Sequence, residues 1–358
     1  MMNTFLRVAT RVKSIALERV GLFFPLLNDK IRVHHGVVPG IGGPLVRLQR
    51  MQKYFPDCPM KFNIIYTISA RISPTICLIA KNHGVKIVQH INSVFHPAYR
   101  MNFRELNKSC RKIYKIADHI VFGSRFAKEG AELYLGKCNV PYTIIYNAVD
   151  MMHFIPQARP DNRFNILAIG GHYVRHRIEP LILAMPYIRE RYQNAKLIII
   201  GSLSPGKGIF NCSKKSFVEL AEEVGIGDNT EFHPQYTQES APEMYKLGDV
   251  LVHLKHMDWT PNTVIESMAC GLPVLHSGNG GLHEIVGEAG LSLGLPYDWN
   301  KIHTPDPISL AEKIMQLYEI RKEKGEIARE IAVKRYDLGK WTREHQRIFE
   351  GLLSRNHS

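Results

Sequence analysis

DWTPNTVIESMACGLPVLHSGNGGLHEIVGEAG, residues 258–290, is the stretch that decides the fold. Two acids, Asp258 and Glu266, stand eight positions apart in it. Asn262 or Thr263 can cap a helix that runs to Ala269, because a short side-chain oxygen accepts from the open amides of a first turn. Glu266 is then expected in that first turn. Gly271 stops the helix, and Pro273-Val274-Leu275 reads as a short buried strand. Gly278, Gly280 and Gly281 open a second helix at His283–Val286. Two helix N-termini beside glycine loops suit a diphosphate, since unpaired N–H groups and the helix dipole both favour anions. Glu266, near the same seat, can accept from sugar or ribose hydroxyls. One glycine loop alone is equally well explained by a capped helix–strand–helix unit. The order acid, cap, small-residue helix, strand and Gly-Gly loop points instead to a sugar-nucleotide site.

Upstream, short apolar runs alternate with helical stretches. The first series places strands at Ile31–Val37, Phe62–Ile68, Val85–Gln89, His119–Phe122 and Thr143–Tyr146. The second places them at Phe164–Ile169, Lys196–Ile200, Thr230–His233 and Val250–Leu254, with helices at Glu179–Tyr192, Lys215–Val224 and Ala241–Leu247. Such alternation implies parallel sheets with crossover helices, whose ligands sit beyond the carboxyl ends of the strands. Two doubly wound domains in tandem imply a cleft between them. The boundaries are read as a basic segment 1–30, a first domain 31–150, a second domain 151–335, and a C-terminal helix 336–358 returning to the first.

Three loops follow strands in the positions where ligands bind. Pro39–Pro44, with Gly42 and Gly43, lets backbone approach a ligand or makes only a tight turn. His90, just beyond the third strand, faces the crevice or is a structural histidine. Gly170–Arg177 carries Arg175 and Arg177, and Ser204–Gly208 carries Lys207; these cations neutralise a diphosphate or are solvated surface.

At 358 residues, 45% apolar and 22% charged, the chain is long enough for two cored domains and is not disordered. Six cysteines without a Cys-x-x-Cys pair exclude a zinc ribbon or redox motif and fit a reducing, cytoplasmic compartment. The net charge of +13 resides in one half, because residues 1–150 hold 22 Lys and Arg against 8 Asp and Glu. That field draws an anionic lipid surface or an acidic or phosphorylated acceptor. The basic residues are dispersed and follow no nucleic-acid motif, so nucleic acid is not expected. Residues 5–24 read as a basic amphipathic helix that lies on an anionic membrane surface, at its inner face, or packs on the domain. No apolar run reaches membrane-spanning length.

Asn147-Ala148-Val149-Asp150 with Phe154 resembles the interdomain signature of glycosyltransferase family 4. Pro261–Val274, followed by Gly280-Gly281-Leu282-His283-Glu284-Ile285-Val286, is similar to that family's donor site, and Ala117–Val121 with Ser124 match the end of its first domain. The resemblance implies an α/β GT-B fold, two Rossmann-like domains facing across a cleft. It implies a nucleotide-sugar donor as substrate, a lipid-linked, polysaccharide or other glycan acceptor, retention of configuration, and no metal or other cofactor. It further implies that Glu266 binds the donor ribose, Asp258 the donor sugar, and Asn262 and Thr263 the donor beside them. Gly42 and Gly43 would close on phosphates, His90 would stand near the reacting sugar, and Gly280 and Gly281 would offer amides. Two positions depart from the pattern. The first acid is Asp rather than Glu, and the family's Arg and Lys after the second domain's first strand are replaced by Gly171 and His176, leaving Arg175 or Arg177 to substitute. The alternatives are a non-catalytic nucleotide- or glycan-binding protein and, more remotely, a sugar-nucleotide epimerase of the same fold.

Overall fold

A computed structural model of the chain describes residues 30–36, 43–205 and 208–354. The chain divides into two units, residues 1–147 with 339–358, and residues 148–338. Gly42, Lys207 and the 5–24 segment lie outside the described residues. No helix among those described is long and apolar enough to cross a membrane.

In the first unit the described strands are β1 (Val33–His34), β2 (Ile64–Ile68), β3 (Lys86–Ile91), β4 (His119–Phe122) and β5 (Tyr142–Ile144). They pair in parallel in chain order. All five residues of β2 are buried, as expected of a strand covered on both faces. β3 runs two residues further than expected, because its pairing with β4 continues to Ile91 opposite Phe122. β5 begins and ends earlier than expected, pairing Tyr142 to Ile144 with β4. The helix Leu338–Ser354 carries Trp341 and Phe349, both buried; Phe349 lies edge-on to Phe55 at 5.0 Å.

The second unit holds β6 (Asn165–Ile169), β7 (Lys196–Ile200), β8 (Thr230–His233), β9 (Val250–His253), β10 (Val274–His276) and β11 (Gly290–Ser292). Their order is β11-β10-β9-β6-β7-β8, parallel throughout. The chain winds outward from β6 through β7 and β8, then returns to β9 on the other side. The switch point therefore lies between β6 and β9, the place where doubly wound sheets bind their ligands. β11 is an edge strand of three residues, too short to read from pattern.

The helix Asn262–Ala269 carries the centre of the deciding stretch. Its N-cap is Pro261 rather than Asn262 or Thr263, with φ −70 and ψ 125 and no side-chain bond to the first turn. Proline has no N–H to leave unpaired and its ring already holds φ near this value. Glu266 consequently sits one turn inside the helix, which has no acid in its first turn. The C-terminus ends at Gly271, whose φ of +69 only glycine adopts without strain.

Two arginines satisfy that C-terminus. Arg329 donates to Ala269 O at 2.8 Å, Phe154 O at 2.7 Å and Met151 O at 3.1 Å. Arg159 donates to Cys270 O at 2.8 Å. Cations on terminal carbonyls complement the helix dipole, so this clamp stabilises the helix that presents Glu266. Arg329→Ala is expected to lower unfolding stability by about 2 kcal/mol, in line with charge-assisted bonds to partly buried carbonyls. Denaturant unfolding of the purified variant checks this, and an unchanged midpoint would refute the clamp.

Candidate active site

The β6–β9 switch point gathers three loops of the second unit. The first, after β6, begins with Gly170 at φ +123. A side chain there would lie 3.4 Å from Thr263 Cγ2 and 3.7 Å from Arg177 Nη2, so Gly170 is flanked by both. The neighbouring Gly201 approaches so closely that a Cβ would stand 2.0 Å from Gly170 O. The loop closes in a short turn, Arg175–Arg177.

The two arginines of that turn have different fates. Arg175 Nε pairs with Glu179 at 2.8 Å and its guanidinium lies over the Phe217 ring at 5.4 Å. It is committed to the flanking helices. Arg177 is buried, donates to Gly171 O at 2.5 Å, and stands beside Gly170 and Thr263 at the switch point. His176, where a lysine belongs in the resembled pattern, is pushed down to about 3 by burial and then by Arg177, so it adds no positive charge.

The second loop follows β9, whose last residue is His253, and carries Lys255 and Asp258. Asp258 is buried, and both its oxygens are engaged. Oδ1 accepts from Lys255 Nζ at 2.6 Å and from the Trp259 amide at 2.9 Å; Oδ2 accepts from His253 Nε2 at 2.8 Å. Burial opposes the charge on Asp258, but Lys255 and His253 outweigh it and hold the carboxyl far below the usual range. Lys255 is held above the ordinary lysine value, the attraction of Asp258 exceeding the cost of burial. His253 is lowered by burial, so it acts as a neutral N–H donor. Lys255 also lies over the Tyr173 ring at 5.7 Å, which joins the β9 loop to the β6 loop.

The third loop, after β10, holds the second in place. Met257 has φ 50, a left-handed conformation costly for a side-chain-bearing residue. Its amide donates to Asn279 Oδ1 at 2.9 Å, and Asn279 Nδ2 donates to Pro296 O at 3.0 Å. Gly280, at φ +78, fits because a Cβ would lie 2.6 Å from Asp258 O. The Gly281 amide donates to that same carbonyl at 2.8 Å. Gly281 thus braces Asp258, and its N–H is not directed at a ligand as the sequence suggested.

Glu266 faces inward from the helix Asn262–Ala269, and its Oε2 accepts from the Tyr245 hydroxyl at 2.9 Å. Burial and then Glu266 raise the Tyr245 phenol well above its ordinary value, so it stays a donor. Asn262 is buried as the first residue of the helix.

Of the other expected residues, Gly43 begins the helix Gly43–Tyr54 and His90 lies in β3, both in the first unit. His90 is inside the strand rather than beyond it, is fully buried, and has both ring nitrogens engaged, by Tyr66 and Arg47. Lys255, His253 and Tyr245 were not singled out from sequence. Lys255 carried one usable signal, standing three residues before Asp258 at the carboxyl end of a strand.

A family model described as "Glycosyl transferases group 1" matches residues 153–335. The D-inositol 3-phosphate glycosyltransferase of Mycobacteroides abscessus is 30% identical over 122 residues, 34% of this chain and 27% of that protein. An uncharacterized glycosyltransferase of Methanocaldococcus jannaschii is 32% identical over 126 residues, 35% of this chain and 30% of its own. The chain thus matches about a third or less of these relatives' length. Among solved structures, sucrose-phosphate synthase from Thermosynechococcus elongatus is similar with a TM-score of 0.67 at 20% identity, covering 82% of this chain and 74% of that one. Anabaena HepE in complex with UDP-glucose is similar with a TM-score of 0.61 at 16% identity, covering 86% and 82%. The two parallel α/β units are those of the GT-B fold.

Proposed function

The chain belongs to the group 1 glycosyl transferases, and from that premise we propose that it moves a sugar from a nucleotide-sugar donor to a lipid-linked, polysaccharide or other glycan acceptor, with retention and without a metal. The observation that carries this reading is what meets at one switch point: the buried ion pair of Asp258 with Lys255, Arg177 and Thr263 on either side of Gly170, and Glu266 on the same helix as Thr263.

Each group has a role. Glu266, oriented by Tyr245, accepts from the donor's ribose hydroxyls. Asn262 and Thr263, at the start of the same helix, lie against the donor. Arg177 and Lys255 oppose the negative charge that develops on the departing diphosphate. In a buried site such preorganised cations act on the transition state without reorganising. Arg177, not Arg175, takes the place of the absent family arginine, and Lys255 takes that of the absent lysine. Asp258 holds Lys255 in position and stands closest to the donor sugar. The basic first unit and residues 5–24 suit an anionic membrane surface on the cytoplasmic side, where a lipid-linked acceptor would be met.

Calorimetric titration with UDP-glucose and other nucleotide sugars, in the presence of a chelator, tests the reading. The wild type is expected to bind one of them, and Glu266→Ala to weaken that binding by at least about 100-fold, as expected when a buried carboxylate loses charge-assisted bonds. Binding indifferent to Glu266→Ala would refute the site. A non-catalytic binding role is the second reading, favoured by the neutral His176 and by Gly171 in the positions of the family's cations. It predicts donor binding with neither transfer nor hydrolysis.

A further inference from the structure

We propose that the first unit holds a second binding site, for an oxyanion, with the Arg47 guanidinium as its anchor. Arg47 projects from the helix Gly43–Tyr54 and is 2% exposed. One guanidinium nitrogen, Nη1, meets His90 Nε2. Its Nε and Nη2 are buried and have no hydrogen-bond partner among the described residues. Among the described residues no carboxylate forms an ion pair with it.

The bonds behind His90 run in one direction. His345 Nδ1 lies 2.9 Å from Trp341 O, so that nitrogen carries the proton and His345 Nε2 is an acceptor. The Tyr66 hydroxyl, 3.3 Å away, donates to it. Tyr66 oxygen then accepts from His90 Nδ1 at 2.7 Å, which leaves His90 Nε2 to accept from Arg47. Every member from Trp341 to His90 is neutral in this arrangement. Burial pushes His345 down to about 3 and His90 well below the histidine range, so neither could carry charge beside the arginine. The relay fixes the guanidinium and does nothing to balance it.

A buried, unbalanced guanidinium is a poor structural element, since ions leave water readily only when paired. Its planar fork, with the Nε and Nη2 donors unbonded, matches the paired oxygens of a phosphate or carboxylate. His90 is the next-to-last residue of β3, so Arg47 stands at the end of the parallel sheet where ligands bind. A separate observation points the same way. The first unit holds 26 Lys and Arg against 9 Asp and Glu, while the second holds 20 against 24. The field that would draw an oxyanion belongs to the unit that contains Arg47. Assigning this oxyanion to the acceptor, as its phosphate or carboxylate group, rests on the transfer reading; the site itself does not.

Thermal unfolding of the full chain at fixed ionic strength tests it, with inorganic phosphate and acetate as separate probes and with or without saturating UDP. The wild-type midpoint is expected to rise with at least one probe, and to do so with UDP present; which probe acts tells phosphate from carboxylate. Arg47→Met is expected to unfold at a higher temperature than wild type without anion and to lose the response. Arg47→Lys should keep a reduced response. The proposal is overturned if wild type ignores both probes, if Arg47→Met responds as wild type does, or if Arg47→Met is the less stable protein without anion. UDP binding measured by titration is expected to be equal in wild type and Arg47→Met. Its absence from both would count against the transfer reading and leave the phosphate and acetate results standing.

Discussion

Moving the protein from about pH 7.5 to about pH 5.5 is expected to remove most of its stability. Six buried histidines are held neutral by burial: His35 at about 4, His176, His276 and His345 at about 3, and His90 and His172 well below the ordinary value. In the unfolded chain each takes a proton near the usual histidine pKa of about 6.5. Their folded values are depressed, so below that pH the unfolded state binds more protons and stability falls with pH. The loss begins at about 6.5 and continues until each folded value is reached. At about pH 5.5 each site costs about 1.4 kcal/mol, and six amount to about 8 kcal/mol. That is comparable with the ~5–15 kcal/mol stability of a typical folded protein. Asp258 has the same sign but a lower window, its contribution being intact above the ordinary aspartate value and lost only below it. Urea midpoints measured across this pH range decide the matter. A midpoint constant down to about pH 5 would mean that these rings gain charge in the folded state.

Much of the fold was legible because parallel strands covered on both faces read as apolar runs. Strands His119–Phe122, Lys196–Ile200 and Thr230–His233 lie at the expected residues. Where expectation and structure part, pairing rather than composition decides: β3 extends over His90 because β4 offers partners that far. Local features of the site were equally legible, such as the spacing of Asp258 and Glu266 and the stop at Gly271. Its electrostatics were not. Nothing in Arg175-His176-Arg177 says which arginine turns toward Glu179 and which toward Gly171, since the choice depends on Phe217 and Thr263, some 40 and 90 residues away. Lys255 was missed because the resemblance directs attention to the loop after β6, whereas Lys255 lies in the loop after β9. Tyr245, 21 residues before Glu266, becomes visible only when its helix packs beside that of Glu266.

Lys255→Met is the substitution with the largest expected effect on the site, because Lys255 pairs with a buried carboxylate and, in the proposed function, also opposes the charge of the leaving diphosphate. Without its ammonium, Asp258 remains a buried carboxylate facing only the His253 ring and the Trp259 amide. Breaking one side of a buried ion pair costs about 3–5 kcal/mol. Asp258→Asn in the same chain removes the stranded charge, so the double variant should be more stable than the sum of the single losses by about 0.5–3 kcal/mol. Turnover should not follow stability. If Lys255 stabilises the leaving diphosphate, Lys255→Met lowers kcat by at least about 100-fold, and adding Asp258→Asn restores the fold without restoring kcat. Donor affinity, which the proposed function assigns chiefly to Glu266, should change much less than kcat. Recovery of both stability and kcat in the double variant would reduce Lys255 to a counter-ion for Asp258. The diphosphate would then be left to Arg177 alone.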